Sequence, residues 1–254
     1  MKLLIVLIAI IQGIVRVQSE DYCNIYHCGQ RHIACNNDGR LSLNCPSSAI
    51  VANVIKHKDL ILELHNNVRN AYAEGVGSLP PAGRMAQMVW CDELSEMALL
   101  NVKTCEMKHD ECRSTLRAPF SGQNIGLYSY TTDEPAKTVA WLVENRFNAW
   151  VNESINVTPD EISKYPEEVT GEQIGHFTLV VTDRATHVGC AAIRYKIDGY
   201  RNFLLTCNYA SNNIIGKPVY KTSETSAADC ETGVSDVYPK LCSIDEEYYD
   251  DKVN

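Results

Sequence analysis

The chain has 254 residues, of which 45% are hydrophobic and 22% charged, a composition typical of a globular protein. Its formal net charge is −9, which argues against nucleic acid or an anionic membrane surface as a partner. The length accommodates one sizeable domain with extensions.

The N-terminus has the pattern of a secretory signal peptide. Lys2 precedes an apolar run over residues 3–15, and small residues occupy the cleavage positions before residue 20. We expect cleavage after Ser19, which also removes Arg16 and takes the formal charge from −9 to −11. The run is shorter than the roughly 18 residues of a spanning helix, so we expect no membrane span. The predicted organisation is a signal peptide over 1–19, a cysteine-rich segment over 20–49, a domain over 50–215 and a C-terminal extension over 216–254.

All 11 cysteines follow the predicted signal peptide, which places them in a compartment where disulfides persist. Their odd number leaves at least one thiol unpaired. Sequons at Asn152 and Asn156 predict N-glycans and agree with export from the cell.

Helical spacing of apolar residues predicts three helices in the first part of the domain. Their expected bounds are about 48–73, 92–102 and 133–153. Residues 122–126 are predicted as a turn, and the polar, proline-containing residues 156–174 as a loop.

Strands are predicted after the helices. The apolar, β-prone run 175–182 is expected to form a strand with His176 at its mouth, where a buried strand meets solvent. Two further strands, over 188–195 and 200–209, flank Asp198-Gly199, a strong two-residue hairpin signal. Pairing around that turn places Cys190 opposite Cys207, which predicts a disulfide. Helices first and strands last indicate an α+β domain or a three-layer α-β-α sandwich.

After residue 216 the chain lacks a core pattern and ends in an acidic run over 245–251, which predicts an extension with a solvated tail. Within the domain, His109 and His176 each flank a rigid element and are the better candidates for metal or proton chemistry. His65 and Arg69 are one helical turn apart, and we interpret them as a hydrogen-bonding group at a helix end.

Four short motifs carry a family resemblance. In chain order they are His65-Asn66 with Arg69, Gly122-Gln123-Asn124-Ile125, Gly175-His176-Phe177-Thr178 and Cys207-Asn208-Tyr209-Ala210. Together they resemble the signature motifs of the CAP superfamily, also called SCP/TAPS. Residues 21–25 and the spacing of Cys105, His109 and Cys112 resemble the insect antigen 5 or venom allergen 5 branch, whose members occur in saliva and venom. The resemblance covers residues 21–215 and implies an α-β-α sandwich.

The resemblance also implies a cleft that can hold a divalent metal between His109, Gln123, Glu153 and His176. Position 123 departs from the fuller motif, which has a glutamate there, and a neutral amide adds little charge to hold the ion. We therefore expect no required cofactor and at most weak binding of zinc or another divalent metal. A glycan on Asn152 would lie beside Glu153. Under a purely structural interpretation, the motif residues only hold the sandwich together, with Asn66, Asn124 and Tyr209 satisfying buried backbone groups.

By position, the resemblance implies disulfides Cys23–Cys35, Cys28–Cys112 and Cys45–Cys105, together with the Cys190–Cys207 pair predicted from the hairpin. Cys230 and Cys242 would pair by default. Cys91 is then left as a buried free thiol or as the site of an intermolecular bond.

Three functional hypotheses follow. The first is a secreted, non-enzymatic protein that sequesters a small apolar ligand, such as a fatty-acid-like or eicosanoid-like molecule, or another host mediator. Such a protein would meet host antibodies as an allergen. The second is a metal-assisted hydrolase that uses His109, Glu153 and His176. The third is recognition of a host protein by the surface or by the acidic tail, where Tyr248 and Tyr249 are candidate sulfation sites.

Overall fold

A five-stranded sheet forms the centre of the computed structural model, which describes residues 21–25 and 27–248. The strands are β1 (Ile50–Ala52), β2 (Val89–Trp90), β3 (Gly122–Thr131), β4 (His187–Ile197) and β5 (Tyr200–Tyr209). Their order is β1-β4-β5-β3, all antiparallel, and β2 adds a short parallel pairing to β4. The predicted signal peptide and Tyr249 lie outside the described residues.

Helices cover both faces of this sheet. They are α1 (Lys58–Ala73), α2 (Asp92–Val102), α3 (Val139–Val151), α4 (Pro159–Ser163) and α5 (Gly175–Val181). Helices α1, α3 and α5 share one hydrophobic core with the sheet, while α2 packs on the opposite face. The predicted α-β-α sandwich is therefore confirmed. In the described part of the chain, no helix is both long and apolar enough to span a bilayer.

The central strands are buried on both faces because their side chains alternate between the two cores. On β5, Phe203, Leu205 and Cys207 belong to the core shared with α1, α3 and α5. Between them, Leu204 packs with Ile193 of β4 on the α2 side. This double burial places even the polar side chains of Thr206 and Asn208 in the interior.

The β4–β5 hairpin has the predicted register. Asp198 and Gly199 both have positive φ, as a tight two-residue turn requires, and Cys190 pairs with Cys207. These cysteines form a disulfide, and the other four predicted pairs are present as well. They are Cys23–Cys35, Cys28–Cys112, Cys45–Cys105 and Cys230–Cys242.

The prediction of a strand over 175–182 is wrong, because these residues form helix α5. Residues 177–181 are all buried, and a short, fully buried apolar run does not distinguish strand from helix. The ends of α5 are satisfied by distant side chains. Glu153 accepts from the backbone N–H groups of His176 and Phe177, and Arg69 donates to the carbonyls of Val180 and Thr182.

Other predicted boundaries also differ from the structure. The first helix begins at Lys58, after a short strand and a 3-10 turn at Val54–His57. The third begins at Val139, where the Thr138 side chain caps the first turn, so residues 133–138 are not helical. Residues 122–126, predicted as a turn, open the ten-residue strand β3, whose partner β5 begins 69 residues after β3 ends. The 156–174 loop contains the short helix α4.

The segment after residue 216 is part of the packed structure, contrary to the expectation that it lacks core residues. Val219, Tyr220 and Leu241 are buried in the same core as α1 and the sheet. Backbone hydrogen bonds join Cys242 to Met85 and Asp183 to Val219. The described part of the extension therefore covers one end of the sandwich.

Candidate functional site: the two histidine pairs

His176 and Glu153 form the first histidine pair. His176 lies in the first turn of α5, and Glu153 lies in a 3-10 turn at Asn152–Asn156 that follows α3. The His176 Nδ1 and Glu153 Oε1 atoms are 2.6 Å apart, and Glu153 Oε2 accepts from the backbone N–H groups of His176 and Phe177. Trp150 stacks on the His176 ring, with 6.0 Å between centroids. The carboxylate therefore fixes both the histidine ring and the start of the helix.

His109 and Gln123 form the second pair. The His109 Nδ1 lies 2.7 Å from Gln123 Oε1, and Gln123 is the second residue of β3. The Gln123 amide nitrogen donates to Asp110 Oδ2 at 2.8 Å and to Asn208 Oδ1 at 3.0 Å. These two acceptors fix the orientation of the amide, so its oxygen faces His109.

Asp110 and Arg113 complete this group, and sequence reasoning missed both. Asp110 Oδ1 pairs with Arg113 Nε at 2.6 Å, and Asp110 Oδ2 also accepts from Asn101 Nδ2 at 2.9 Å. A carboxylate thus lies beside Gln123 although position 123 itself is neutral. The only sequence signal was the Asp directly after His109 in a cysteine-bounded loop.

Both rings carry their proton on Nδ1, because a glutamine carbonyl and a carboxylate oxygen are acceptors. Each ring therefore keeps the Nε2 lone pair for a metal ion, and an Nδ1–H bound to an oxygen is the usual support of a metal-ligating histidine. Gln123 and Glu153 orient the rings. Among the described residues, the ligand atoms of His109, Glu153 and His176 are not all within 4.8 Å of one another. Imidazole nitrogens are ligands that zinc accepts, and the metal site expected from the sequence stays a prediction.

His65 belongs to a buried hydrogen-bond chain behind these pairs. Its Nδ1 donates to the Ile61 carbonyl at 2.7 Å, so its Nε2 accepts from the Tyr209 hydroxyl at 3.0 Å. Asn124 donates to that hydroxyl and, at 3.0 Å, to the His176 carbonyl. Burial and the charge of Arg69 lower the pKa of His65 to about 4, which keeps the ring neutral.

Arg69 is fully buried and serves the backbone. Its guanidinium makes five hydrogen bonds, to the carbonyl oxygens of Ala86 (twice), Val180, Thr182 and Asp183, between 2.7 and 3.0 Å. Burial lowers its pKa from 12.5 to about 10, so it remains charged at neutral pH. The positive charge of Arg69 also stabilises the C-terminal end of α5, where the helix dipole is negative.

The remaining motif residues hold backbone segments together. Asn66 exchanges two hydrogen bonds with Met88, and Asn208 donates to the Leu94 carbonyl of α2. A Cβ atom on Gly122 would lie 2.5 Å from the Ser211 carbonyl oxygen, so only glycine allows β3 to approach that segment. Phe177 is fully buried against Tyr72.

The other candidate residues differ in accessibility. Asn152 is exposed, whereas the Asn156 amide nitrogen donates to the Gln173 carbonyl, which favours Asn152 as the glycan acceptor. Cys91 is a half-buried thiol directly before α2 and is not in a disulfide. Burial raises its pKa. The Tyr248 hydroxyl donates to the Arg84 carbonyl, and burial raises its pKa, so it is a poor sulfation site in the folded chain.

Comparisons with known proteins agree on one family. The profile of the CAP family, described as the cysteine-rich secretory protein family, matches residues 62–209. Venom allergen-1 of Aedes albopictus is 36% identical over 238 residues, which cover 92% of this chain and 91% of that protein. Antigen 5 like allergen Cul n 1 of Culicoides nubeculosus is 38% identical, over 72% of this chain and 88% of that protein. The crystal structure of NaASP2 with Zn²⁺ superposes with a TM-score of 0.58 at 23% identity, covering 79% of this chain and all of that one.

Proposed function

The chain belongs to the CAP family of cysteine-rich secretory proteins, as a relative of venom allergens, and we propose that it is a secreted, non-enzymatic protein that sequesters a small host mediator. The non-enzymatic part of the proposal depends on Glu153 and Asp110, the two carboxylates beside the histidines, because both are already engaged in hydrogen bonds. Glu153 accepts three hydrogen bonds and Asp110 is paired with Arg113. Neither is free to act as a general base.

The nearby hydroxyl groups also argue against hydrolysis. Ser114 Oγ lies 2.9 Å from His27 Nε2, which resembles a nucleophile and its base. However, the Ser114 hydroxyl donates its proton to the Pro119 carbonyl at 2.7 Å, so the His27 ring must donate to Ser114. A histidine that donates to the hydroxyl cannot activate it.

A hydrolysis assay tests this part of the proposal. Peptide and ester substrates are incubated with the secreted protein with and without zinc, beside His176→Ala and Glu153→Gln. We expect the wild type and both variants to hydrolyse the substrates at the rate of a protein-free blank, with or without zinc. The reason is that Glu153 and Asp110 already bind other groups of the protein. Zinc-dependent hydrolysis that His176→Ala abolishes would instead favour the metal-assisted hydrolase.

Zinc itself is expected to bind weakly, through the Nε2 atoms of His109 and His176. When bound, it would supply Lewis-acid polarisation. Equilibrium dialysis measures the affinity directly, and His109→Ala should reduce it as much as His176→Ala does. Equal affinity in the wild type and both variants would remove this site from consideration.

The sequestration part rests on the family and on the apolar surface of the helical layer. Leu64 and Val68 of α1 and Val151 of α3 are only partly buried against the core, which leaves accessible apolar area on these helices. We expect a fatty-acid-like or eicosanoid-like ligand to bind there. Host antibodies are the expected protein partners of such a secreted allergen.

Native mass spectrometry after exposure to a fatty-acid mixture tests ligand binding. We expect one lipid equivalent on the wild type and reduced occupancy on Val68→Gln. Leu43→Gln is the control, because Leu43 is fully exposed in the N-terminal segment. A wild-type protein that remains lipid-free, or equal losses in both variants, would contradict sequestration at the helical layer.

A further inference from the structure

A groove of about 400 Å³ adjoins the His109–Gln123 group, with which it shares Arg113. It is formed by the segment 111–121, residues 212–215 and His27 of the N-terminal segment. None of His109, Gln123, Glu153 and His176 lines it. Its volume is within the range of small-molecule sites in proteins, about 300–1,000 Å³.

The groove has a flat aromatic and aliphatic wall. Phe120 is 46% exposed, and its ring is nearly parallel to that of His27, at 17° with centroids 5.9 Å apart. Ile215 is 59% exposed on the facing segment. A ligand that covers these side chains would remove apolar area from water, at about 25 cal/mol per Å².

The wall is also fixed before any ligand binds. The Cys28–Cys112 disulfide joins the N-terminal segment to segment 111–121. Ser114 adds two contacts, since its hydroxyl bonds to His27 and its carbonyl oxygen lies 2.7 Å from His32 Nε2. Such preorganisation lowers the entropic cost of binding.

Ser121 supplies an unused polar group. The residue lines the groove and is only 6% exposed, and its Oγ atom has no hydrogen-bond partner within the described part of the chain. A buried hydroxyl without a partner destabilises the protein, and a hydrogen bond to a ligand group would recover that loss. The second unpartnered hydroxyl, Ser211 Oγ, lies on the segment that meets Gly122.

The charges along the groove favour a cation. The Arg113 guanidinium forms an ion pair with the Asp110 carboxylate, which balances its charge. It also donates to the backbone carbonyls of Asp110 and Ser121. Glu111 is exposed, and within residues 21–25 and 27–248 its carboxylate forms no ion pair or hydrogen bond. The net charge of −9 adds a long-range attraction for positive ligands.

From these features we propose that the groove binds a small organic cation that carries an aromatic ring. The ring packs on Phe120, His27 and Ile215, and the ammonium group pairs with Glu111. A polar substituent or ring N–H group is hydrogen-bonded by Ser121 Oγ. The site is separate from the helical layer proposed to hold a lipid, so either can be present without the other.

Isothermal titration calorimetry with two matched probes tests the charge preference. Tryptamine and indole-3-propionate share the ring and the two-carbon spacer but carry opposite charges. We expect tryptamine to bind at least tenfold more tightly. Equal affinities, or no measurable binding of tryptamine, would overturn the proposal.

Three variants then locate the site. Glu111→Gln should weaken tryptamine binding by tenfold or more, whereas Glu106→Gln, the same change at an exposed acid outside the groove, should not alter it. Phe120→Ala should weaken binding of both probes. Ser121→Ala should weaken tryptamine binding while leaving the unfolding midpoint in urea unchanged or higher, because its hydroxyl has no partner in the protein. Equal effects of Glu111→Gln and Glu106→Gln would refute a site at this groove.

Discussion

Gln123 is the residue at which this chain departs from its family motif, and the structure gives the physical consequence. Its amide nitrogen faces the oxygens of Asp110 and Asn208, while its carbonyl oxygen faces the His109 ring. A glutamate here would offer no donor to either oxygen. The neutral amide is thus the side chain that these neighbours require when no cation is bound.

Gln123→Glu should therefore destabilise the metal-free protein by about 1–3 kcal/mol, because it places two carboxylates in hydrogen-bond contact. Zinc should recover part of this loss and bind more tightly than to the wild type. Urea unfolding with and without zinc measures both effects. The double variant Gln123→Glu with Asp110→Asn should restore stability; if it is no more stable than the single variant, repulsion from Asp110 is not the cause.

His65 predicts a pH dependence of stability. The pKa of His65 is about 4 in the folded chain and 6.5 ordinarily. Between these two pH values the unfolded chain is protonated at His65, whereas the folded chain is not. Stability should consequently fall as pH drops from 6.5 to 4, by on the order of 3 kcal/mol in total. The free energy of unfolding is measured in urea across this range. A His65→Gln variant should have a shallower slope, and an unchanged slope would exclude His65 as the origin.

Helix α5, which contains the third motif, is held by residues of the first two motifs and by Glu153. Its N-terminal N–H groups are held by Glu153, its C-terminal carbonyls by Arg69, and the His176 carbonyl by Asn124. These three partners lie on α1, on β3 and after α3. Two motifs that are far apart in sequence therefore contact the same short helix.

Arg69→Lys tests this arrangement. A lysine has three N–H donors for four carbonyl oxygens, so at least one of them stays unpaired in the core. We expect a loss of about 2–4 kcal/mol in unfolding free energy, and faster hydrogen exchange in α5 than in α2. Arg40→Lys, at a side chain that is 85% exposed, is the matched control. Equal stabilities of the two variants would contradict the assigned role of Arg69.

At the scale of the whole molecule, the C-terminal extension is fastened to the domain by Arg84 and Glu246. The Glu246 side chain has no exposed surface, accepts from both the N–H and the hydroxyl of Thr232, and pairs with Arg84. Arg84 also pairs with Glu231 at 2.7 Å and lies 4.7 Å above the Tyr248 ring. Glu246 is therefore part of the packed structure, although the acidic run from residue 245 predicted a solvated tail.

Glu246→Ala should release this extension, because it leaves the Thr232 donors and part of the Arg84 charge unpaired. We expect a local loss of about 3–5 kcal/mol and cleavage after residue 230 at a protease concentration that spares the wild type. The fragments stay linked by Cys230–Cys242 until they are reduced. Asp245→Ala removes an exposed acid one residue away and should behave as the wild type. Equal resistance of all three proteins would show that Glu246 does not fasten the extension.

The sequence provided the candidate residues of the site, but not the contacts between them. Gln123 and His176 lie in the short motifs, and the family resemblance implied His109 and Glu153 by position. Neither the motifs nor the resemblance showed that Gln123 and Glu153 orient the two rings, since that depends on Asp110, Asn208 and the backbone of α5. The Ser121 groove lacks a motif and was missed, because it is made by three segments that are distant in the chain.

By itself, the sequence determined helix α2, the β4–β5 hairpin and its disulfide, because helical spacing and a two-residue turn are properties of neighbouring residues. Tertiary structure alone decided that 175–182 is a helix, that 122–131 is a strand and that residues 216–248 belong to the packed molecule. In each of these the local preference was weak or misleading. Hydrogen-bond partners and buried contacts from residues far along the chain outweighed it.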